Sequence, residues 1–373
     1  MSGSIIIVCD DQLARVENGR IVALTSQREQ QYRQALRELE NKYEWKTSGA
    51  GAQFMKQTNP YRNKAEYSQC RINALTAFGG KLLYAISTPE SGYLYLKDCG
   101  DDTAPEGYRY GEKGLDIIDL SARGDKFAFS AHDARGEYHI ALMEEGRAGY
   151  RWITSGDTYD TSPAFSMDGK VIFYESSGLA RSEEGYVAAQ APAEIIRLDL
   201  ATGALEELCA STEYDYIRPK MAPDGGLYMI KKPYKLPERP RLTLADRLRN
   251  IGNFFRGLGN IVRMLGNTDS IDRKAEKYMG AGTAVQTRML NGVAVSVSEK
   301  ADEKVERGWA PDDWVLVRRN DDGSFTEIQK GVADYDFDGE AIIYTDGRRV
   351  FRYENGRREK LCKGVFIPRV AVI

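Results

Sequence analysis

The sequence predicts an all-β chain closed into a six-bladed β-propeller, with helical inserts. Three observations carry this. Glycine turns flanked by apolar strands recur at a near-constant spacing. The two ends of the chain carry copies of one strand pattern. Helical apolar periods are confined to two stretches, while the 373 residues include 36 glycines and 22 tyrosines. A recurring unit of about 45 residues that reads as four strands is a propeller blade.

The chain begins with one half of the terminal copy. Residues 5–20, IIIVCDDQLARVENGR, align without gaps with residues 342–357, IIYTDGRRVFRYENGR, with seven identities in sixteen. Each copy reads strand, turn, strand, then an Asn-Gly turn into a third strand, because both residues of Asn-Gly tolerate positive φ. Only four residues precede Ile5, too few for the innermost strand of a blade, whereas Val365–Ile373 remain over after the last unit. The C-terminal segment is therefore expected to supply the first strand of a blade whose other three lie in residues 4–25. This pairing of chain ends removes open sheet edges.

Residues 26–65 interrupt the β pattern. Tyr32, Leu36, Leu39 and Tyr43 follow helical spacing, and a polar stretch with Gly49 and Gly51 follows. The repeats come next. Gly79, Gly124, Gly169, Gly225 and Gly339 sit at equivalent turns, separated by 45, 45, 56 and 114 residues. The units span about 66–111, 112–156, 157–212, 213–331 and 332–364. The longest gap marks one unit carrying an insert at 234–309. Three prolines, Pro233, Pro237 and Pro240, open that insert. Thr243 and Asp246 then resemble a helix cap, and Leu244, Leu248, Ile251, Phe255, Leu258, Val262 and Leu265 form a stripe at alternating spacings of four and three. Five arginines against one aspartate between Arg241 and Arg263 make the helix basic.

At SPAFSMDGKVIFYES followed by EIIRLDLATGALEEL the chain resembles the TolB-type, WD-like β-propeller repeat. Pro163, Phe165, Ser166, Asp168, Gly169, Asp199, Thr202 and Gly203 fill its pattern, and Pro219, Pro223, Asp224 and Gly225 fill it in part. The resemblance is to a fold and implies no single activity. TolB-like proteins act in the bacterial periplasm, and similar propellers gate prolyl-oligopeptidase-type peptidases. The sequence shows neither an export signal, nor an N-terminal α/β domain, nor a hydrolase domain, so neither role is expected to transfer.

Composition narrows the function. Fifty-two basic against 55 acidic residues give a net charge of −3, which provides no general attraction for nucleic acid. Five scattered cysteines without a CxxC pair fit a reducing cytoplasm. With only His132 and His139, histidine triads and multi-histidine metal sites are nearly excluded, and both residues are read as decorating a hairpin. DYDFDG at Asp334–Gly339 opens like a calcium loop but has Thr345 where the loop needs Glu, so no metal and no cofactor is expected.

The leading expectation is a non-enzymatic scaffold that binds a protein partner, or a second copy of itself, through rim loops and the basic helix. Its contact residues would be Leu244, Leu248, Ile251, Phe255, Leu258, Val262, Arg247 and Arg256. The alternative is small-ligand binding, or hydrolase or lyase chemistry, on channel carboxylates. Tyr159, Asp160, Tyr214, Asp215, Asp334 and Asp336 are the candidates there or at the rim, with Asp116 and Asp119 near the same positions. Attachment of the basic helix to a membrane surface is a third reading.

Overall fold

The computed structural model describes residues 3–47, 70–101, 104–133, 135–183, 185–234, 286–297 and 307–373. The chain starts inside its closing blade, with β1 (Ile5–Cys9), β2 (Gln12–Glu17) and β3 (Arg20–Ala23). The helix α1 (Gln27–Thr47) follows, where helical spacing predicts it. Ser26 caps it by accepting from the Glu29 amide at 3.2 Å, and Tyr32 packs against the first blade interface.

Blade one is β4 (Arg71–Phe78), β5 (Lys81–Ser87), β6 (Ser91–Lys97) and β7 (Gly107–Lys113). Blade two is β8 (Ile117–Arg123), β9 (Lys126–His132), β10 (Tyr138–Glu144) and β11 (Arg151–Trp152). Blade three is β12 (Thr158–Phe165), β13 (Val171–Arg181), β15 (Glu194–Asp199) and β16 (Leu205–Cys209), with β14 (Val187–Gln190) paired to the far end of β13. Blade four starts with β17 (Tyr214–Met221) and β18 (Leu227–Pro233). After the separate hairpin of β19 (Gln286–Leu290) and β20 (Val293–Val297), it resumes with β21 (Val315–Arg319) and β22 (Phe325–Lys330). Blade five is β23 (Asp334–Asp338), β24 (Ala341–Thr345), β25 (Gly347–Glu354) and β26 (Arg357–Ile367). The last strand, β27 (Arg369–Val372), is the innermost strand of blade six.

The ring closes as expected, by pairing of the chain ends. Strand β27 runs antiparallel to β1 with Ile6 opposite Ala371 and Ile7 opposite Val370. Ser4 and Ile373 exchange backbone hydrogen bonds of 2.8 and 3.0 Å beyond them. The expected segment began at Val365. In the structure β26 runs on to Ile367, and Pro368 separates it from β27.

The core is divided among the six seams between neighbouring blades. Each seam holds one apolar cluster, such as Leu83, Ala85, Ile117 and Phe129 between blades one and two. Neighbouring residues of one strand serve different seams: Ile6 and Val8 face blade one, whereas Ile7 faces blade five. Second strands are therefore nearly continuous in apolar residues, as in KLLYAIS and AIIYT, because both sides of the sheet are covered.

The insert contains a hairpin at 286–297, a stretch to which the sequence reading assigned no element. Asn291-Gly292 closes it with φ of 45° and 80°, the same turn chemistry as Asn18-Gly19 and Asn355-Gly356. Leu290 and Val297 bury one of its sides in the seam between blades four and five. The stripe from Leu244 to Leu265 lies outside the described residues.

Candidate functional site

Six innermost strands line the channel, and their C-terminal halves enclose a cavity of about 230 Å³. Four of these strands carry a register shift at the same level, near Asn73, Ile118, Ser162 and Arg218. A bulge turns a side chain that would face a neighbouring blade towards the axis. In blades three and four the bulged residue precedes a proline and has positive φ, 51° for Ser162 and 53° for Arg218. Such a conformation costs about 1–3 kcal/mol and persists only where its surroundings hold it.

What holds it is a cross-ring ion-pair network. Arg218, from blade four, donates through Nε to Asp334 of blade five at 2.8 Å and through Nη1 to Asp119 of blade two at 3.0 Å. Its amide donates to Glu175 of blade three at 2.9 Å, and its carbonyl accepts from the Tyr335 hydroxyl at 2.8 Å. Ser162 donates to the second oxygen of Asp119 at 3.2 Å. Arg369 of blade six lies 3.6 Å from Asp119, and the Val370 amide donates to Asp334 at 2.9 Å. One guanidinium thus joins blades two, four and five across the axis.

Burial opposes the charge on Arg218, but Asp119 and Asp334 outweigh it and hold its pKa above the ordinary arginine value. For Asp334 burial alone would raise the pKa. The charges of Arg218, Lys220 and Arg369, with the Val370 amide, bring it below the usual carboxylate value. Arg369 is lowered by burial and by the nearby charge of Arg218. Asp334 is thereby kept ionised, and both it and Asp119 are hydrogen-bonded to Arg218, an arrangement suited to joining blades.

The other expected channel residues divide between the channel and the ring's edge. Asp336 sits beside Lys220 at 3.6 Å and accepts from the Val372 amide at 2.8 Å. Asp334 and Asp336 belong to strand β23, paired residue for residue with β24, and not to an ion-binding loop. Asp160 is buried in the seam between blades two and three, where it accepts from Ser176 at 2.7 Å and Thr158 at 3.1 Å. Tyr159 packs edge-on to Tyr138, with ring centroids 5.9 Å apart. Asp215 accepts from the Ala193 amide at 2.8 Å and faces Lys232 at 3.5 Å, while Tyr214 lies under the Lys231 ammonium. Asp116 is met by Asn73 at 3.4 Å. The expected contact residues Leu244, Arg247, Leu248, Ile251, Phe255, Arg256, Leu258 and Val262 lie outside the described residues.

Sequence reasoning missed Arg218, Glu175, Ser162 and Arg369. The x-Pro dipeptides at Ser162-Pro163 and Arg218-Pro219, at one position of successive repeats, are the signal that marks two of them. His139 also differs from expectation: it is only 2% exposed and bonds Asp160 at 3.1 Å, because the neighbouring blade covers this face of the β9–β10 hairpin.

Every innermost strand runs in one direction, so the ring has two distinct faces. One carries the short turns after the innermost strands. The other carries the connections between blades and between second and third strands, including two projecting hairpins. In blade three, β13 overruns the ring and pairs with β14, leaving Tyr186 75% exposed and Val187 exposed beside it. The hairpin β19–β20 projects from the same face, with Met289 61% exposed and Val293 also exposed. It is moored to three blades. Lys232 donates to the Asn291 carbonyl at 3.0 Å, Asn291 donates to the Ala333 carbonyl at 2.6 Å, and Arg288 pairs with Asp11. The Tyr234 hydroxyl, just past β18, donates to the Gln190 carbonyl and ties the β13–β14 hairpin to blade four.

No family model matches the chain, and no curated protein matches it. Solved structures do. TolB from Acinetobacter baumannii superposes with a TM-score of 0.51 at 13% identity, over 99% of this chain and 66% of that one. The fold is a TolB-like β-propeller. This chain spans 66% of the length of the Acinetobacter protein. A TolB-type protein from Agrobacterium tumefaciens is similar at a TM-score of 0.40 and 14% identity, over 82% of this chain and 91% of its own. The tricorn protease is similar at 0.44 and 12%, over 100% of this chain and 36% of its own. At these identities the likeness is one of fold, and the function of this TolB-like propeller must be argued from its own surfaces.

Proposed function

We propose that this TolB-like propeller is a non-catalytic scaffold that docks a protein partner on its hairpin-bearing face. The observation that supports the reading is the pair of hairpins on this face: β13–β14 extends blade three, β19–β20 is seated on the ring by its turn at Leu290 and Asn291, and together they present Tyr186, Val187, Met289 and Val293 to solvent. Exposed aromatic and aliphatic residues on rigidly held loops are common centres of protein interfaces. The channel favours the same reading over catalysis. Asp119 and Asp334 are engaged by Arg218 on both sides, so neither is set up as a free acid or base. Burial pushes the thiols of Cys70, Cys209 and Cys362 up to about 11, away from nucleophilic use at neutral pH. The five free cysteines support a reducing compartment such as the cytoplasm.

The test is affinity capture with the tagged full-length chain, followed by two variants. One carries Tyr186→Ser, Val187→Ser, Met289→Ser and Val293→Ser. The other carries Met167→Ser and Leu205→Ser, exposed apolar residues at the opposite, short-turn face. The proposal expects the first variant to lose the captured protein and the second to keep it. Equal recovery by all three proteins contradicts it.

A further inference from the structure

On the hairpin-bearing face, at the seam between blades two and three, three side chains of different chemistry converge. Asp133 follows β9, Glu137 precedes β10, and His139 lies in β10. One ligand atom from each lies within 4.8 Å of the other two. Glu137 and His139 are two residues apart in extended chain and so project to one side. The Oδ1 of Asp133 is occupied within its own turn, accepting from the Arg135 amide at 2.8 Å and the Glu137 amide at 3.0 Å. Its Oδ2 is left to face the imidazole, 3.8 Å from Nε2.

The protonation pattern of His139 follows from its other nitrogen. Nδ1 lies 3.1 Å from Asp160, a carboxylate that already accepts from two hydroxyl groups. Asp160 can only accept there, so Nδ1 carries the hydrogen and Nε2 of the neutral ring presents a lone pair. That nitrogen lies 3.8 Å from Oδ2 of Asp133, too long for a hydrogen bond. His139 and Glu137 are each 2% exposed; Oε1 of Glu137 pairs with Arg181, and its Oε2 accepts no hydrogen bond among the described residues. Among the described residues the cation that touches Glu137 is Arg181, which also bonds Asp157 at 2.8 Å and the Gly185 carbonyl at 2.7 Å. Arg181 thus answers Glu137 and Asp157, while Asp133 and Asp160 lie against His139. Three converging acceptors with excess negative charge form a cation site. A carboxylate behind the distal ring nitrogen is the outer-shell partner that metal-binding histidines use.

We propose that Asp133, Glu137 and His139 bind a divalent cation of the zinc class, oriented by Asp160 and open to solvent on the Asp133 side. An imidazole with two carboxylates suits zinc and its neighbours better than calcium, which takes oxygen ligands and a higher coordination number. Bound there, the ion would fix the 133–137 connection to the seam and relieve the repulsion among its carboxylates. Arg181 would keep its bonds to Asp157 and Gly185. The sequence hides the site because D-x3-E-x-H is no standard motif and Asp160 comes from the next blade.

The full-length chain, stripped with chelator, is titrated with zinc chloride, and metal content is measured after gel filtration. Because the chain has only two histidines, imidazole NMR reads the ring nitrogens of each directly. The proposal expects one zinc per chain and a shift of His139 Nε2 with His132 unmoved. It expects affinity losses of about 10–100-fold in Asp160→Asn and at least as large in Asp133→Asn and His139→Gln. Asp133→Asn retains an oxygen to accept the two turn amides, so a folded circular-dichroism spectrum with lost zinc binding isolates the ligand role. Saturable uptake that is unchanged by these substitutions, no saturable uptake, an equal response to calcium chloride, or a His139 Nε2 already protonated and insensitive to zinc would each overturn it.

Discussion

The two faces of the ring are built from the same blades yet obey different rules. On one face the turns between innermost and second strands are almost interchangeable: Gly79, Gly124, Gly169, Gly225 and Gly339 all adopt φ between 57° and 83°. On the other, the connection between second and third strands varies from Asp10-Asp11 in blade six to the whole stretch between Pro233 and Val315 in blade four. The difference follows from what each connection controls. A tight turn next to the axis fixes the register of the innermost strand, and a slip of one residue would turn Asp119, Arg218 or Asp334 away from the channel. A connection further out sets no register at the axis, so it can lengthen into a hairpin without disturbing the network. One face maintains the ring, and the other is free to carry function.

Several substitutions would break or sharpen this contrast. The largest effect is expected where both faces depend on one residue. Arg218→Met leaves Asp119 and Asp334 buried without their partner, a loss of about 3–5 kcal/mol that urea unfolding will register. Unchanged stability would show that the axis does not hold the blades.

Acid provides a related test. Because the folded pKa of Asp334 lies below the unfolded value of about 3.9, its contribution is present above that pH and is lost as pH falls through the folded value. The stability gap between the wild type and Asp334→Asn should therefore narrow steadily below about pH 4. A constant gap would remove the ion pair from the account.

On the short-turn face, Gly124→Val and Gly169→Val each force a branched side chain into positive φ and should cost about 1–2 kcal/mol, although a Cβ at Gly124 would meet nothing within 4 Å. At the tips of the opposite face, Tyr186→Ser and Met289→Ser should stay within about 0.5 kcal/mol of the wild type, since neither side chain is packed into a seam. Similar costs on both faces would erase the distinction.

The fold was legible because a propeller repeats its physics. The glycine spacing marks five of the six blades, and the ENGR copies with the lack of an innermost strand before Ile5 mark the closure of the sixth. The channel was legible only in part. Asp334 and Asp336 stand out by their alternation, but the partner that neutralises Asp334 lies 116 residues earlier, and Arg218 and Asp119 are 99 residues apart. Long-range pairs formed by closing a ring leave no local spacing. The burial of His139 was hidden for the same reason, since Asp160 belongs to the following blade. The hairpin at 286–297 did carry a local sign, Asn291-Gly292 between two apolar strands, which a reading centred on the Leu244–Leu265 stripe passed over.

The central claim, that one face maintains the ring while the other binds, is tested most directly by hydrogen exchange on the purified full-length chain with and without its captured partner. The account predicts new protection in β13–β14, in β19–β20 and in the 133–137 connection, with the turns at Gly79, Gly124, Gly169, Gly225 and Gly339 unchanged. Protection confined to those glycine turns, or to the rim of the cavity beside them, would contradict it.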